Sequence, residues 1–258
     1  MAVKIKEKIM PKFFVTNEQI KNDLITIKGQ DVNHIRNVLR QRVGDEITIC
    51  NSYKGQDYLC EINKIEDEYI YCNILKELEN NVESNIKVTI FQGLPKADKM
   101  ELVIQKSVEL GVYDITPIEM KRCVVKLNEK DKIKKIDRWQ KISEVASKQS
   151  GRNIIPKINN VLKVKDIIEK IADYDLLLVA YENEEKLTLK EQLKNITNIE
   201  KDEIKIGVLI GPEGGIDPEE MVELKDNGAK IVTLGKRILR TETVALNVLS
   251  IIMYELEK

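Results

Sequence analysis

Ile206-Gly207-Val208-Leu209-Ile210-Gly211-Pro212-Glu213-Gly214-Gly215, followed further on by Ile231-Val232-Thr233-Leu234-Gly235-Lys236-Arg237-Ile238-Leu239-Arg240-Thr241-Glu242-Thr243, decides the fold class of this chain. Each stretch opens with an apolar run that reads as a buried strand, Ile206–Ile210 and Ile231–Leu234, and passes at once into a glycine-bearing loop. After the first loop, Asp217, Pro218 and Glu220 spell a helix start, with a cap, a proline at the first helical position and a capping-box partner. After the second, a final helix begins near Thr241. Strand, loop, helix, repeated with continuously apolar strands, indicates a parallel α/β sheet. In such sheets ligands bind beyond the carboxyl ends of the strands, where these two loops sit.

Moving outward, the same alternation continues upstream. Val88–Gln92, Ile115–Met120 and Asp175–Tyr181 read as strands, and Asp98–Leu110 and Asp137–Ser150 as helices closed by Gly111 and Gly151. Asn80 to Asn85 is polar and lacks an apolar pattern, which sets a boundary. Before it, residues 11–75 read mostly as β. Glu46–Cys50, Tyr58–Ile65 and Tyr69–Ile74 are strands separated by Gly44-Asp45, Lys54-Gly55 and Glu66-Asp67 turns. One helix interrupts them, Asp31 to Arg42, with Val32, Ile35, Val38 and Leu39 at helical spacing. Short strands of this kind suggest a small barrel. The expected layout is residues 10–78 as one domain, 79–85 as a linker and 86–258 as the α/β domain.

Composition narrows the function classes. The 258 residues carry 33% charged side chains, but the net charge is only −1, so any acidic partner must be met by a local patch. Lys121 to Lys157 supplies one, with twelve basic against four acidic residues; charge alone weighs an RNA-facing surface there and an ordinary solvated helix face about equally. Asp166 to Ile204 has the opposite balance, five basic against eleven acidic. Cys50, Cys60, Cys72 and Cys123 form no Cys-x-x-Cys pair, and a single histidine, His34, cannot complete a zinc site with them, so buried reduced thiols and no metal are expected. Met1 to Met10 lacks an apolar signal core, and the longest apolar stretch, Val244 to Tyr254, is too short for a bilayer. The chain reads as soluble and cytoplasmic, without a membrane partner.

The loops carry the chemistry. Gly211 to Gly215 offers small residues and backbone N–H groups at a strand end, and it is neither a Gly-x-Gly-x-x-Gly fingerprint nor a P-loop. Taken alone it reads more readily as a tight turn than as a site. Leu234 to Thr243 is basic, apolar and acidic in close succession: Ile238 and Leu239 suit a flat ring such as adenine, and Arg240 and Glu242 suit either chemistry or an ion pair that holds the loop.

Together with upstream stretches in the same order, these motifs resemble the RsmE family of ribosomal small subunit RNA methyltransferases. The upstream stretches are Met10-Pro11-Lys12-Phe13-Phe14-Val15, His34 with Val38-Leu39-Arg40 and Gly44-Asp45, Gln105-Lys106-Ser107-Val108-Glu109-Leu110-Gly111, and Gln149-Ser150-Gly151-Arg152 with Pro156. The resemblance covers nearly the whole chain from Met10, nine residues in. Lys12 departs from the family's usual arginine, and Val244 stands where a smaller residue is common. The resemblance implies a PUA-like RNA-binding barrel followed by a SPOUT-type parallel sheet with a trefoil knot, in a homodimer. It implies methylation of N3 of a specific uridine in the decoding region of 16S ribosomal RNA, within the small ribosomal subunit, using S-adenosylmethionine.

By the same resemblance the cofactor meets Val179, Ala180, Ile210, Gly211, Pro212, Glu213, Gly214, Leu234, Gly235, Ile238, Leu239 and Arg240. Arg240, with Glu242 and Glu213, is expected to serve catalysis, because uracil N3 must lose a proton before it can attack. Lys12, His34, Arg36, Arg40, Lys96, Lys99, Arg122, Gln149 and Arg152 are the expected RNA contacts; a solvated charge or an intramolecular ion pair is the competing reading for any of the cations, and the favoured one for Arg36 and Lys99. With aromatics at 5%, one flipped uridine fits better than extensive base stacking. Three other readings stay open at this level: a SPOUT enzyme with another target, a non-catalytic RNA-binding protein on the same two domains, and a nucleotide-dependent oxidoreductase, which the missing fingerprint disfavours.

Overall fold

The computed structural model describes residues 12–79, 82–196 and 201–257. Met10 and Pro11 of the expected start, and Asn80 and Asn81 of the expected linker, lie outside the described residues. The chain divides into two compact units: residues 1–83 with 151–155, and residues 84–150 with 156–258.

The first unit is a curled six-stranded sheet. Its strands are β1 (Lys12–Val15), β2 (Ile20–Lys21), β3 (Leu24–Lys28), β4 (Glu46–Asn51), β5 (Gln56–Ile65) and β6 (Tyr69–Leu78), in the order β1-β4-β5-β6-β3-β2. Only β1 and β4 run parallel. Two register shifts in the β5–β6 pair bend the sheet, and it closes over Phe13, Ile25, Ile27, Ile35, Ile47, Ile49, Ile62 and Ile70. β1, β2 and β3 are too short or too mixed in pattern to stand out in the sequence.

The helix expected over residues 31–42 is shorter and of another kind. α1 (Gln30–Asn33) passes directly into a π-helical turn, His34–Val38, in which Leu39 N–H reaches back five residues to His34 O at 2.9 Å. The wider turn rotates Val38 out of the core, leaving it 64% exposed, while Val32 and Ile35 stay buried. Arg40 then takes a left-handed φ of 56° and ends the turn.

The second unit holds a seven-stranded sheet whose every pairing is parallel. In chain order its elements are β7 (Ile86–Gly93), α2 (Lys99–Glu109), β8 (Asp114–Glu119), α3 (Glu129–Ser150), β9 (Lys157–Ile158), β10 (Leu162–Lys163), α4 (Val164–Ile168), β11 (Leu176–Ala180), α5 (Leu189–Ile196), β12 (Ile204–Ile210), α6 (Pro218–Asp226), β13 (Lys230–Val232) and α7 (Thr241–Leu256). The order is β10-β8-β7-β12-β11-β13, with β9 beside β8. Strands covered on both faces must be apolar throughout, and Val88, Ile90, Leu178, Val179, Ile206, Val208 and Leu209 are fully buried. Register brings Gln92, Ile210, Ala180 and Val232 level, so four strands deliver their carboxyl ends to one place.

One helix start and one helix cap depart from the sequence reading. α3 begins at Glu129, eight residues before Asp137, because Asn128 Oδ1 caps it by accepting from Asp131 N–H at 2.9 Å. Its first two turns are charged and lack the apolar stripe that makes a helix visible in sequence. α6 starts as expected at Pro218 behind Asp217, whose carboxylate accepts from Glu219 N–H at 3.1 Å. The expected capping box does not form, since Glu220 turns inward and accepts from Lys121 N–H at 3.0 Å instead. No helix among the described residues is long and apolar enough to cross a membrane.

Candidate active site

The loops that leave β11, β12 and β13 enclose a cavity of about 380 Å³ with the start of α7, a size suited to a small-molecule cofactor. One hydroxyl fixes its floor. Thr241 Oγ1 donates to Gly211 O at 2.7 Å and accepts from Gln92 Nε2 at 2.8 Å, so β7, the β12 loop and α7 meet at a single side chain. Gly93 lets the β12 loop cross the end of β7: a Cβ there would lie 2.7 Å from both Pro212 Cδ and Pro212 N. Gly215 adopts a φ of +72°, and a Cβ on it would meet Glu182 Oε1 at 2.9 Å. The first is a close backbone approach that a side chain would obstruct, and the second is a left-handed conformation that favours glycine.

Of the residues expected to hold a cofactor, the cavity is lined by Ala180, Ile210, Gly211, Pro212, Glu213, Leu234, Gly235, Ile238, Leu239 and Arg240. Val179 and Gly214 are not on its wall. Val179 is fully buried within β11, and Gly214 packs against Arg122, whose Nη1 donates to Gly214 O at 3.3 Å. Sequence reasoning missed Tyr181, Glu182, Ile216, Thr233 and Val244 in the lining, and missed Thr241 and Gln92 as its organisers. Gln92 did leave a trace, as a lone amide ending an otherwise apolar strand.

The expected catalytic residues come together here. Lys99 Nζ sits 2.9 Å from Glu213 Oε1 and 3.3 Å from Glu242 Oε2, and Glu213 also accepts from Lys96 N–H at 3.1 Å. Burial works to raise Glu213, but Lys99 and the backbone N–H groups outweigh it and hold the carboxyl below the usual carboxylate value. The Lys99 ammonium is pushed up, first by Glu213 and then by Glu242 against a small burial cost. Arg240 immediately precedes α7, is exposed, and makes no ion pair among the described residues. Ile238 is 85% exposed at the cavity mouth.

The expected RNA contacts fall into separate groups. In the first unit, His34 and Arg40 are exposed, His34 edge-on to Phe13, and Arg36 pairs with Asp67 at 2.9 Å. Lys12 and Arg152 are corrections. Lys12 is mostly covered, pairs with the buried Asp57 at 2.7 Å and donates to Asn153 Oδ1 at 2.6 Å. Arg152 is buried in a fork on Glu83, whose Oε1 also accepts from Asn153 and Ile154 N–H at 2.8 and 3.1 Å. Both charges are spent inside the unit, and a phosphate would have to displace a buried carboxylate to reach them. In the second unit Lys96, Arg122 and Gln149 are exposed, while Lys99 is drawn into the cavity wall.

All four cysteines are buried and reduced. Burial pushes the Cys60 and Cys72 thiols up to about 12, which makes them inert. No group of three or more His, Cys, Asp or Glu is arranged to hold a metal among the described residues.

Residues 82–253 match the family described as RNA methyltransferase domain, and residues 27–75 match RNA methyltransferase PUA domain. Ribosomal RNA small subunit methyltransferase E of Bacillus subtilis (strain 168) is 37% identical over 251 residues, 96% of this chain and 98% of that protein. The chain belongs to the ribosomal RNA small subunit methyltransferase E family. The family's namesake from Mesomycoplasma hyopneumoniae (strain 232) is 35% identical over 93% of this chain and 98% of its own length. The solved family member from Neisseria gonorrhoeae, bound to S-adenosyl methionine, is 31% identical and superimposes with a TM-score of 0.81 over 95% of this chain and 97% of its own.

Proposed function

We propose that this chain methylates N3 of a specific uridine in the decoding region of 16S ribosomal RNA, using S-adenosylmethionine. The observation that carries the reading is the cavity at the carboxyl ends of β11, β12 and β13, with Arg240 and Glu213 on its wall and Glu242 tied to that wall through Lys99. The residues present fit the cofactor. A side chain at Gly93 would obstruct the loop that forms the cradle, Gly215 supplies its left-handed turn, and Ile238 and Leu239 offer apolar surface to an adenine. When bound, S-adenosylmethionine supplies a methyl group on a sulfonium, whose S–CH3 bond breaks as the N3–CH3 bond forms.

The chain's own residues handle the charge and the proton. Arg240, free of ion pairs among the described residues, offers its guanidinium to the uracil oxygens as N3 loses its proton. Glu242 takes the N3 proton and passes it to solvent: its Oε2 is shielded from water and lies 3.3 Å from the Lys99 ammonium. Glu213, held low by its donors, is the poorer base and serves to fix the loop.

Residues 10–78 serve as the RNA-binding barrel, 79–85 as the connection and 86–258 as the methyltransferase domain, to which 151–155 belong by sequence though they pack with the first unit. His34 and Arg40 in the barrel, with Lys96, Arg122 and Gln149, contact RNA. β12 is inserted between β7 and β11, and the segment after β13 returns to Gln92 and Gly211; this threading supports the trefoil knot. A homodimer working in the cytoplasm on the small subunit completes the reading.

The test is an in vitro assay with labelled methyl donor on naked 16S rRNA and on 30S particles, followed by nucleoside analysis. Arg240→Ala should lose about 10²–10³-fold in rate while keeping the wild-type circular dichroism spectrum. Full activity in that variant ends its catalytic assignment, and a product other than 3-methyluridine ends the reading of the target.

A further inference from the structure

The sequence groups Lys99 with the RNA-facing cations, but the fold gives it other partners. Lys99 opens α2, Glu213 belongs to the loop after β12, and Glu242 lies in the first turn of α7. One ammonium reaches both carboxylates, at 2.9 and 3.3 Å, so the carboxylates are close neighbours. Two carboxylates so placed repel, and one of them tends to take up a proton unless a cation intervenes. The other charged groups on this wall are Glu182, Lys236, Arg237 and Arg240, and all four are exposed and screened by water. Lys99, Glu213 and Glu242 are the partly buried charges, with side chains 30%, 26% and 14% exposed.

We propose that Lys99 is a positioning residue for methyl transfer: its ammonium ties Glu213 of the β12 loop to Glu242 of α7 and holds the two carboxylates as a charged pair beside the cavity. This rests on the functional reading above. Three segments far apart in the chain thereby share one electrostatic joint, at the wall of the cavity that Thr241 closes from below. A phosphate contact would have to share the ammonium with both carboxylates, weakening the bridge beside the reacting uracil. The low position of Glu213 and the raised Lys99 are what such a bridge produces.

The experiment uses the full-length protein with Lys99→Met, Lys99→Gln and Lys99→Arg. Single-turnover methylation of 30S particles is followed from mildly acidic to mildly alkaline pH, and RNA binding is followed against salt. Lys99→Met should lose about tenfold or more in rate at acidic pH and recover in part at alkaline pH, because the unbridged pair takes up a proton. Lys99→Arg should keep the wild-type profile, and the salt slope of RNA binding should not change. A salt slope reduced by about one charge, with the pH profile unmoved, makes Lys99 a phosphate contact and overturns the proposal. An equal loss at every pH, or no loss, also overturns it.

A second measurement does not depend on activity. Carbon-13 NMR titration of the Glu213 carboxyl in cofactor-free protein should show its midpoint rising by about one pH unit or more in Lys99→Gln, and an unmoved midpoint refutes the bridge. Nucleoside analysis of the wild-type product tests the functional reading separately, so the two failures are distinguishable.

Discussion

The Thr241 hydroxyl donates a 2.7 Å hydrogen bond to the Gly211 carbonyl, tying the first residue of α7 to the first residue of the loop after β12. Replacing Thr241 with valine keeps the shape but removes this bond and the one Thr241 accepts from Gln92, which is fully buried. Thr241→Val should cost about 1–3 kcal/mol of stability and weaken binding of S-adenosylmethionine severalfold. Chemical denaturation and calorimetry check both; unchanged cofactor affinity would show that the cavity floor does not depend on this hydroxyl.

Gly93→Ala should damage the same floor from the other side. The new methyl would sit 2.7 Å from Pro212 N and 3.0 Å from Ile210 O, both backbone atoms that yield only if the loop moves. A loss of about 1–3 kcal/mol is expected, with cofactor affinity falling while RNA binding holds. Thermal unfolding and paired binding titrations measure this.

The first unit should be acid-sensitive through Glu83. Burial alone would raise this carboxyl, but Arg152 and the N–H groups of Asn153 and Ile154 bring it below its ordinary value of 4.5. A group depressed in the folded state stabilises above its unfolded value and loses that contribution as pH falls through the folded value. Stability should therefore be level above about pH 5 and drop below pH 4.5. Glu83→Ala should cost about 3–5 kcal/mol at neutral pH by removing the carboxylate on which the buried Arg152 forks. Denaturation at several pH values checks this, and a variant that unfolds like wild type at neutral pH would contradict it.

Arg40 offers a clean test of RNA contact by the first unit. It is exposed, and asparagine tolerates its left-handed backbone while removing the charge. Arg40→Asn should leave the melting temperature in place and reduce the salt slope of RNA binding by about one. An unchanged slope would remove Arg40 from the interface.

Much of the second unit was legible because its signals are local. Continuous apolar runs mark β11 and β12, β-rich stretches mark β7 and β8, and Asp217-Pro218 marks the start of α6. What escaped was whatever depends on partners distant in the chain. Glu220 looked like a capping-box residue and is claimed instead by Lys121 N–H. The first turns of α3 carry no apolar stripe, so charge hid them. Val38 fits helical spacing, but the π-helical turn puts it in water. Lys12 and Arg152 read as surface cations, since no local pattern announces that Asp57 and Glu83 wait for them.

By itself the sequence determined the parallel α/β class, the two glycine-bearing loops and the family to which those loops belong, because apolar periodicity, caps and turns are written over a few neighbouring residues. Only the tertiary structure decided which charges do work together. Lys99 lies more than a hundred residues before Glu213 and Glu242, and nothing in its neighbourhood marks it as theirs. Strand register brings the four carboxyl ends level, and an ion pair, unlike a helix or a turn, is specified by where folded segments meet.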